Sequence, residues 1–94
     1  IAAFTEWSKK PAHERAQVLE RLADIFKRER FNLMALQVYE VGKNWVEADG
    51  DVAEAIDFCL YYAQEMRRLA EGERVSFVQG EDSRYEYRPR GVTL

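Results

Sequence analysis

Residues 46–71 read VEADGDVAEAIDFCLYYAQEMRRLAE, and their spacing decides the fold. Val52, Ile56, Cys59, Ala63, Met66 and Ala70 recur at three- and four-residue steps, the period of one helix face. Ala55, Tyr62 and Leu69 widen that stripe. The pattern predicts a helix from about Val46 to about Glu71, ending before Gly72. Gly50 falls inside its first turns, where it costs about 1 kcal/mol relative to alanine. Glu47, Glu54, Phe58 and Tyr61 project away from the apolar stripe. A helix on the outside of a small domain carries Lys and Glu there, not Phe and Tyr beside carboxylates. The helix is therefore expected to be covered on both sides, or to wall a cavity with its far side. A carboxylate with an aromatic ring one turn along suits a pocket that grips a substrate amine or ammonium. A solvated acidic face with two stray aromatics is the plainer alternative, and spacing alone leaves both open.

Upstream, Leu33, Met34, Leu36, Val38 and Val41 predict a second helix over Phe31 to Val41. Gly42 stands where a left-handed cap wants glycine, with Lys43 near the last carbonyls. Before it, Ala16, Leu19, Leu22, Ala23 and Phe26 trace another helical stripe, closed by the run Lys27-Arg28-Glu29-Arg30. Pro11 reads as the first helical residue, and Glu14 adds acid to the first turn. Lys10 is a poor N-cap, with Ser8 helping from further back. Phe4 and Trp7 are spaced as the end of an earlier helix.

Downstream of Gly72 the period changes. Val75 and Phe77, then Tyr85 and Tyr87, alternate with polar neighbours on either side of Gly80-Glu81-Asp82, a hairpin pattern that Pro89 and Gly91 end. Val92-Thr93-Leu94 begins a further apolar stretch. The expected fold class is mainly α with a C-terminal β-hairpin. An isolated two-stranded hairpin is marginal in water, and its edges need a partner. Both the hairpin and the double-faced helix point to part of a larger protein.

Composition narrows the function without naming it. Ninety-four residues make at most one small domain, and a hydrophobic share of 47% is ample for a core. Fourteen basic against seventeen acidic residues leave a charge of −3, which argues against a nucleic-acid surface. One cysteine makes no internal disulfide and fits a reducing compartment, so the expected location is cytoplasmic. No apolar run approaches the roughly 18 residues of a membrane span.

Taken singly, the reactive residues assemble no catalytic group. Cys59 lies on the apolar stripe and reads as a small buried hydrophobe rather than a nucleophile. His13, among Ala12, Glu14 and Arg15, reads as a surface residue. Glu47, Asp49, Asp51 and Glu54 fall in a helical pattern and lack the arrangement of a calcium loop, so no metal site is expected. Gly42-Lys43 lacks the upstream glycine and the following Ser/Thr of a phosphate-binding loop.

Longer motifs carry more. Val38-Tyr39-Glu40-Val41-Gly42-Lys43-Asn44-Trp45-Val46-Glu47-Ala48-Asp49, then Asp51-Val52-Ala53-Glu54-Ala55-Ile56-Asp57-Phe58 and Tyr61-Tyr62-Ala63, resemble the N-terminal region of the aldehyde dehydrogenase superfamily. Glu40 to Lys43 matches a pattern spread widely through it. The V-A-E-A-I-D-F run is more particular to its Δ1-pyrroline-5-carboxylate (L-glutamate γ-semialdehyde) dehydrogenase branch. Trp7, Pro11, Glu14-Arg15 and Leu19, and the late Tyr85-x-Tyr87-x-Pro89-x-Gly91-Val92, agree with the same family. The resemblance covers essentially the whole chain.

It implies a fragment of an α/β dehydrogenase that oxidises glutamate semialdehyde to glutamate with NAD in proline breakdown. Catalytic cysteine, general base, oxyanion asparagine and dinucleotide site would all lie beyond the region matching Leu94, so this segment alone is expected to be inactive and to bind no cofactor. Residues 1–72 would be leading helices of the NAD-binding domain, and 73–94 the first strands of an oligomerisation flap. Glu54 resembles the family residue that faces the substrate's α-ammonium group, and Phe58 would line the same wall. The expected partners are an aldehyde substrate, the remainder of the same enzyme and further copies of it. Two alternatives stand beside this: a bifunctional protein that also carries a proline dehydrogenase, and a free-standing acidic helical interaction module using the Phe58/Tyr61 face.

Overall fold

The computed structural model describes residues 2–91. Four helices follow one another: α1 (Ala2–Trp7), α2 (Ala12–Arg28), α3 (Arg30–Val41) and α4 (Trp45–Ala70). Two short strands, β1 (Glu73–Arg74) and β2 (Arg84–Tyr85), pair antiparallel after them. Among the described residues there is one sheet, of two strands. The Val92-Thr93-Leu94 stretch lies outside the described residues.

The helices form where the apolar periodicity places them. α4 begins at Trp45 and ends at Ala70, one residue earlier at each end than the spacing predicts. Its start is set by Asn44, whose side chain accepts the Glu47 backbone N–H at 2.9 Å and so satisfies one of the helix's free donors. Gly42 ends α3 in the left-handed conformation, φ 71°, and its N–H reaches the Val38 carbonyl. A glycine is wanted there because a side chain at that φ is strained.

Three expectations at the first long helix are corrected. Pro11 is not the first helical residue but the residue before it, with ψ 146°, and helix α2 starts at Ala12. Ser8 does not support that start: its hydroxyl donates back to the Thr5 carbonyl at 3.2 Å, closing α1 instead. The cationic run does not lie within one helix either. α2 stops at Arg28, Glu29 is the joint, and Arg30 opens α3.

Packing runs through small side chains. Ala16, Ala23, Ala48 and Ala63 are fully buried or nearly so, which lets α2 lie close against α4. Ala23, Met34, Ala48, Val52 and Ile56 form one cluster, drawn from α2, α3 and α4, with Phe26, Leu33, Val38 and Cys59 packed on its margin. The predicted stripe of α4 is thus inside at Val52, Ile56 and Ala63, but Tyr62 and Ala70 are exposed. Tyr62 sits at the edge of that stripe, and its ring turns outward onto Phe58.

The molecule is a slab rather than a ball. Its extents are 61 × 32 × 21 Å and its radius of gyration is 18.4 Å, against about 12 Å for a compact domain of this length. Large apolar side chains therefore stay open to solvent, with Phe31, Tyr39, Val46 and Phe77 each at least 78% exposed.

The hairpin is shorter than its alternation predicts. Only Glu73 with Tyr85 and Arg74 with Arg84 pair, and Val75 N–H adds one bond to the Ser83 carbonyl. Val75, Phe77 and Tyr87 lie outside the paired strands and are exposed. The Arg74 guanidinium replaces further pairing, donating to the Ser76 and Glu81 carbonyls across the loop.

Candidate functional site

The face of α4 opposite the core carries the candidate site. Glu54 and Phe58 are one turn apart, both exposed, Phe58 to 50%. Phe58 stacks on Tyr62 with ring centroids 6.0 Å apart, and Tyr61 meets Tyr62 edge-on at 5.4 Å. A ladder of aromatic rings therefore runs along the helix away from the Glu54 carboxylate. Among the described residues Glu54 is in no ion pair, like Glu47 and Asp57, whereas Asp49, Asp51 and Glu65 of the same helix are each held by a cation. A free carboxylate at the end of an apolar, aromatic strip has the chemistry to hold an ammonium whose carbon chain lies on the rings.

These residues make a wall, not an enclosure. A cleft of about 270 Å³ is lined by Phe26, Leu33, Val41 and Val52, on the core side. A larger one, about 620 Å³, lies between Trp7, Arg15 and Arg90. Neither is lined by Glu54 or Phe58.

Ion pairs fix how α4 is mounted. Arg67 grips Glu20 of α2 through both oxygens, at 2.6 and 2.9 Å. Arg67's hydrogen bonds, with its charge as a lesser cause, hold the Glu20 carboxyl below the usual carboxylate range against the cost of burial. Arg67 is raised in turn, first by the same hydrogen bonds. Near the other end of α4, Arg30 of α3 binds Asp49 at 2.6 Å and Lys43 binds Asp51. Sequence reading missed all three pairs. Asn44 was missed too, although Asn44-x-x-Glu47 is a readable helix-start signal.

The remaining candidates fall where side-chain chemistry put them. Cys59 is half-buried against the core cluster, and His13 is exposed. Among the described residues no group of three or more His, Cys, Asp or Glu gathers to hold a metal. No helix of the described residues is long and apolar enough to cross a membrane. Nor do these residues fit a dinucleotide. Every helix precedes the strands, so the strand, glycine-rich turn and helix that cradle a pyrophosphate do not occur among them.

The model of the aldehyde dehydrogenase family matches residues 1–94. The chain belongs to the aldehyde dehydrogenase family. Among curated members, 1-pyrroline-5-carboxylate dehydrogenase 2 of Bacillus subtilis (strain 168) is 49% identical over 92 residues, covering 98% of this chain and 18% of that protein. The 1-pyrroline-5-carboxylate dehydrogenase of Staphylococcus epidermidis is 46% identical over 94 residues, with the same coverage. Among solved structures, proline utilization A from Bdellovibrio bacteriovorus, inactivated by N-propargylglycine, superposes with a TM-score of 0.90 at 52% identity. That match takes in 95% of this chain and 9% of the other. The chain thus spans about a fifth of the length of the curated dehydrogenases it matches, 18% in each case cited. The helical architecture with its short hairpin is a piece of the aldehyde dehydrogenase fold, as its motifs predict. Family membership over the whole chain favours that reading over an independent interaction module.

Proposed function

We propose that the whole protein is an NAD-dependent dehydrogenase that oxidises L-glutamate γ-semialdehyde, formed by opening of Δ1-pyrroline-5-carboxylate, to L-glutamate in the cytoplasm. The observation that carries this is the identity, 45–49%, to relatives named 1-pyrroline-5-carboxylate dehydrogenase across nearly all of the chain. This segment supplies no catalytic group and no cofactor contact. Its part is to hold the substrate: the Glu54 carboxylate meets the α-ammonium, and the Phe58 ring lies along the carbon chain. An unpaired carboxylate next to exposed aromatic rings supports that assignment. Residues 1–72 are the leading helices of the NAD-binding domain, and 73–94 open an oligomerisation flap in a homo-oligomer. The many exposed large apolar side chains and the short two-residue ladder support both placements.

The test is steady-state kinetics of the whole protein carrying Glu54→Ala. A hydrogen bond between charged groups contributes about 1.5–3 kcal/mol, so KM for the semialdehyde rises by roughly ten- to a hundred-fold. KM for NAD stays within about two-fold, the size of an indirect effect. Equal rises for both substrates, or none, remove Glu54 from the pocket.

The 52% identity to proline utilization A favours a second reading, in which the same dehydrogenase is joined to a proline-oxidising domain. Proline-dependent reduction of a dye by the purified whole protein tests it. A protein that oxidises the semialdehyde and leaves proline untouched is monofunctional.

A further inference from the structure

Gly50 is the weak point of α4. It is the one glycine in that 26-residue helix, one turn before Glu54, and the chain N-terminal to it presents Trp45 and Val46 to solvent. Glycine in a helix interior favours local opening, and a terminal turn beyond it frays most easily. The two residues flanking Gly50 are both carboxylates, Asp49 and Asp51, and both are paired to the segment that precedes α4. Arg30, the first residue of α3, puts Nε and Nη2 each 2.6 Å from Asp49 Oδ1. Lys43, just past the left-handed Gly42 that ends α3, binds Asp51 Oδ2. Asp49 and Asp51 are about 200° apart around the helix, so the two cations hold it from opposite flanks. Between them Met34 of α3 is buried on Ala48, Val52 and Ile56.

We propose that Arg30 and Lys43 are positioning residues: paired to Asp49 and Asp51, they staple α4 across Gly50 and keep the turn that ends in Glu54 folded and correctly turned toward the substrate ammonium. This rests on the reading of Glu54 given above. The staple adds nothing to the chemistry; it lowers the fraction of molecules in which the carboxylate is misplaced. An exposed ion pair of this kind is modest, so each cation is worth a small factor in affinity.

The experiment compares Lys43→Met, Lys43→Arg, Lys43→Met with Gly50→Ala, and Glu54→Ala in the whole protein, by hydrogen exchange and by kinetics. In Lys43→Met the amides of residues 48–54 exchange faster, and KM for the semialdehyde rises about two- to five-fold with kcat and KM for NAD unchanged. Lys43→Arg keeps the pair and stays near wild type. Gly50→Ala has open space for its Cβ, with nothing within 4 Å, and strengthens the same turn without restoring the charge. It therefore returns both exchange and KM of Lys43→Met toward wild type. A KM that rises but is not restored by Gly50→Ala means that Lys43 touches the substrate directly, which overturns the staple. Wild-type exchange over 48–54 in Lys43→Met overturns it as well. If Glu54→Ala leaves KM unmoved while Lys43→Met still quickens exchange, the pocket reading fails and only the mechanical half of the staple survives.

Discussion

The helical block and the hairpin segment put their apolar residues to opposite use. In residues 12–70 the stripes of three helices converge, and Ala23, Met34, Ala48, Val52 and Ile56 disappear from solvent. In residues 73–91 Val75, Phe77, Val78, Tyr85 and Tyr87 all stay more than half exposed. Helices complete their backbone hydrogen bonds alone and need only one covered face, which a neighbouring helix supplies. A strand needs a neighbour on each edge and a layer on its face, and the two-residue ladder has neither. The block has a packed interior; the hairpin segment leaves its apolar side chains on the surface.

Truncating the core tests the first part of that contrast most severely. Ile56→Ala removes a 6%-exposed side chain from the centre of the cluster. The expected loss is about 2–5 kcal/mol, lost transfer energy plus a cavity. It is read in the whole protein as reduced hydrogen-exchange protection along α4. Protection that falls by less than about 0.5 kcal/mol would mean that the cluster is not a true interior.

Much of the block is legible in the sequence, for a physical reason. Burial of one helix face imposes a period near 3.6 residues, so Val52, Ile56 and Ala63 announce which way α4 turns. The glycine after Val41 announces a left-handed cap because few other residues adopt that conformation. What periodicity does not hold is the axial placement of one helix against another. Glu20 and Arg67 are 47 residues apart, and nothing local joins them. The Lys43–Asp51 and Arg30–Asp49 pairs likewise follow from how α3 crosses α4. Tyr62 shows the limit within a single helix, since at the stripe's edge the choice between core and Phe58 is made by neighbours. The hairpin differs further from its pattern, because alternation in Val75, Phe77, Tyr85 and Tyr87 reports which face each side chain takes, not the extent of pairing. Glu54 and Phe58 are legible as one exposed face by geometry, and the proposal that they wall the substrate adds the family resemblance to that geometry.

Acid sharpens the picture of how the block is held. The Glu20 carboxyl is lowered chiefly by the Arg67 hydrogen bonds, so the stability it adds is present at neutral pH. That contribution disappears as pH falls through the lowered folded value. Glu29 and Glu65 are lowered too, by Asn32 with Arg28 and by Arg68, and titrate in the same direction. Of these three lowered carboxyls only Glu20 is paired to another helix, and the Glu20→Gln variant isolates it. It melts below wild type at neutral pH, and the two curves converge on the acid side of the usual carboxylate range. A constant gap at every pH would assign the effect to side-chain packing rather than to charge.

Within the 94 residues the smallest expected effect lies in the hairpin, and it bears most directly on the proposed covering surface. Phe77 is 83% exposed, its ring faced by the Arg74 guanidinium at 4.9 Å. Nothing apolar is lost from the helical block when it is removed, so in the 94-residue chain Phe77→Ser changes α4 protection by less than about 0.5 kcal/mol. In the whole protein the proposed flap would cover the same ring, and the substitution would then cost what a buried aromatic costs, about 3–5 kcal/mol. The difference between the two measurements, rather than either alone, is what reports the covering surface. Equal small effects in both settings would leave the hairpin an ordinary exposed loop, and the contrast with the helices would reduce to one of chain order.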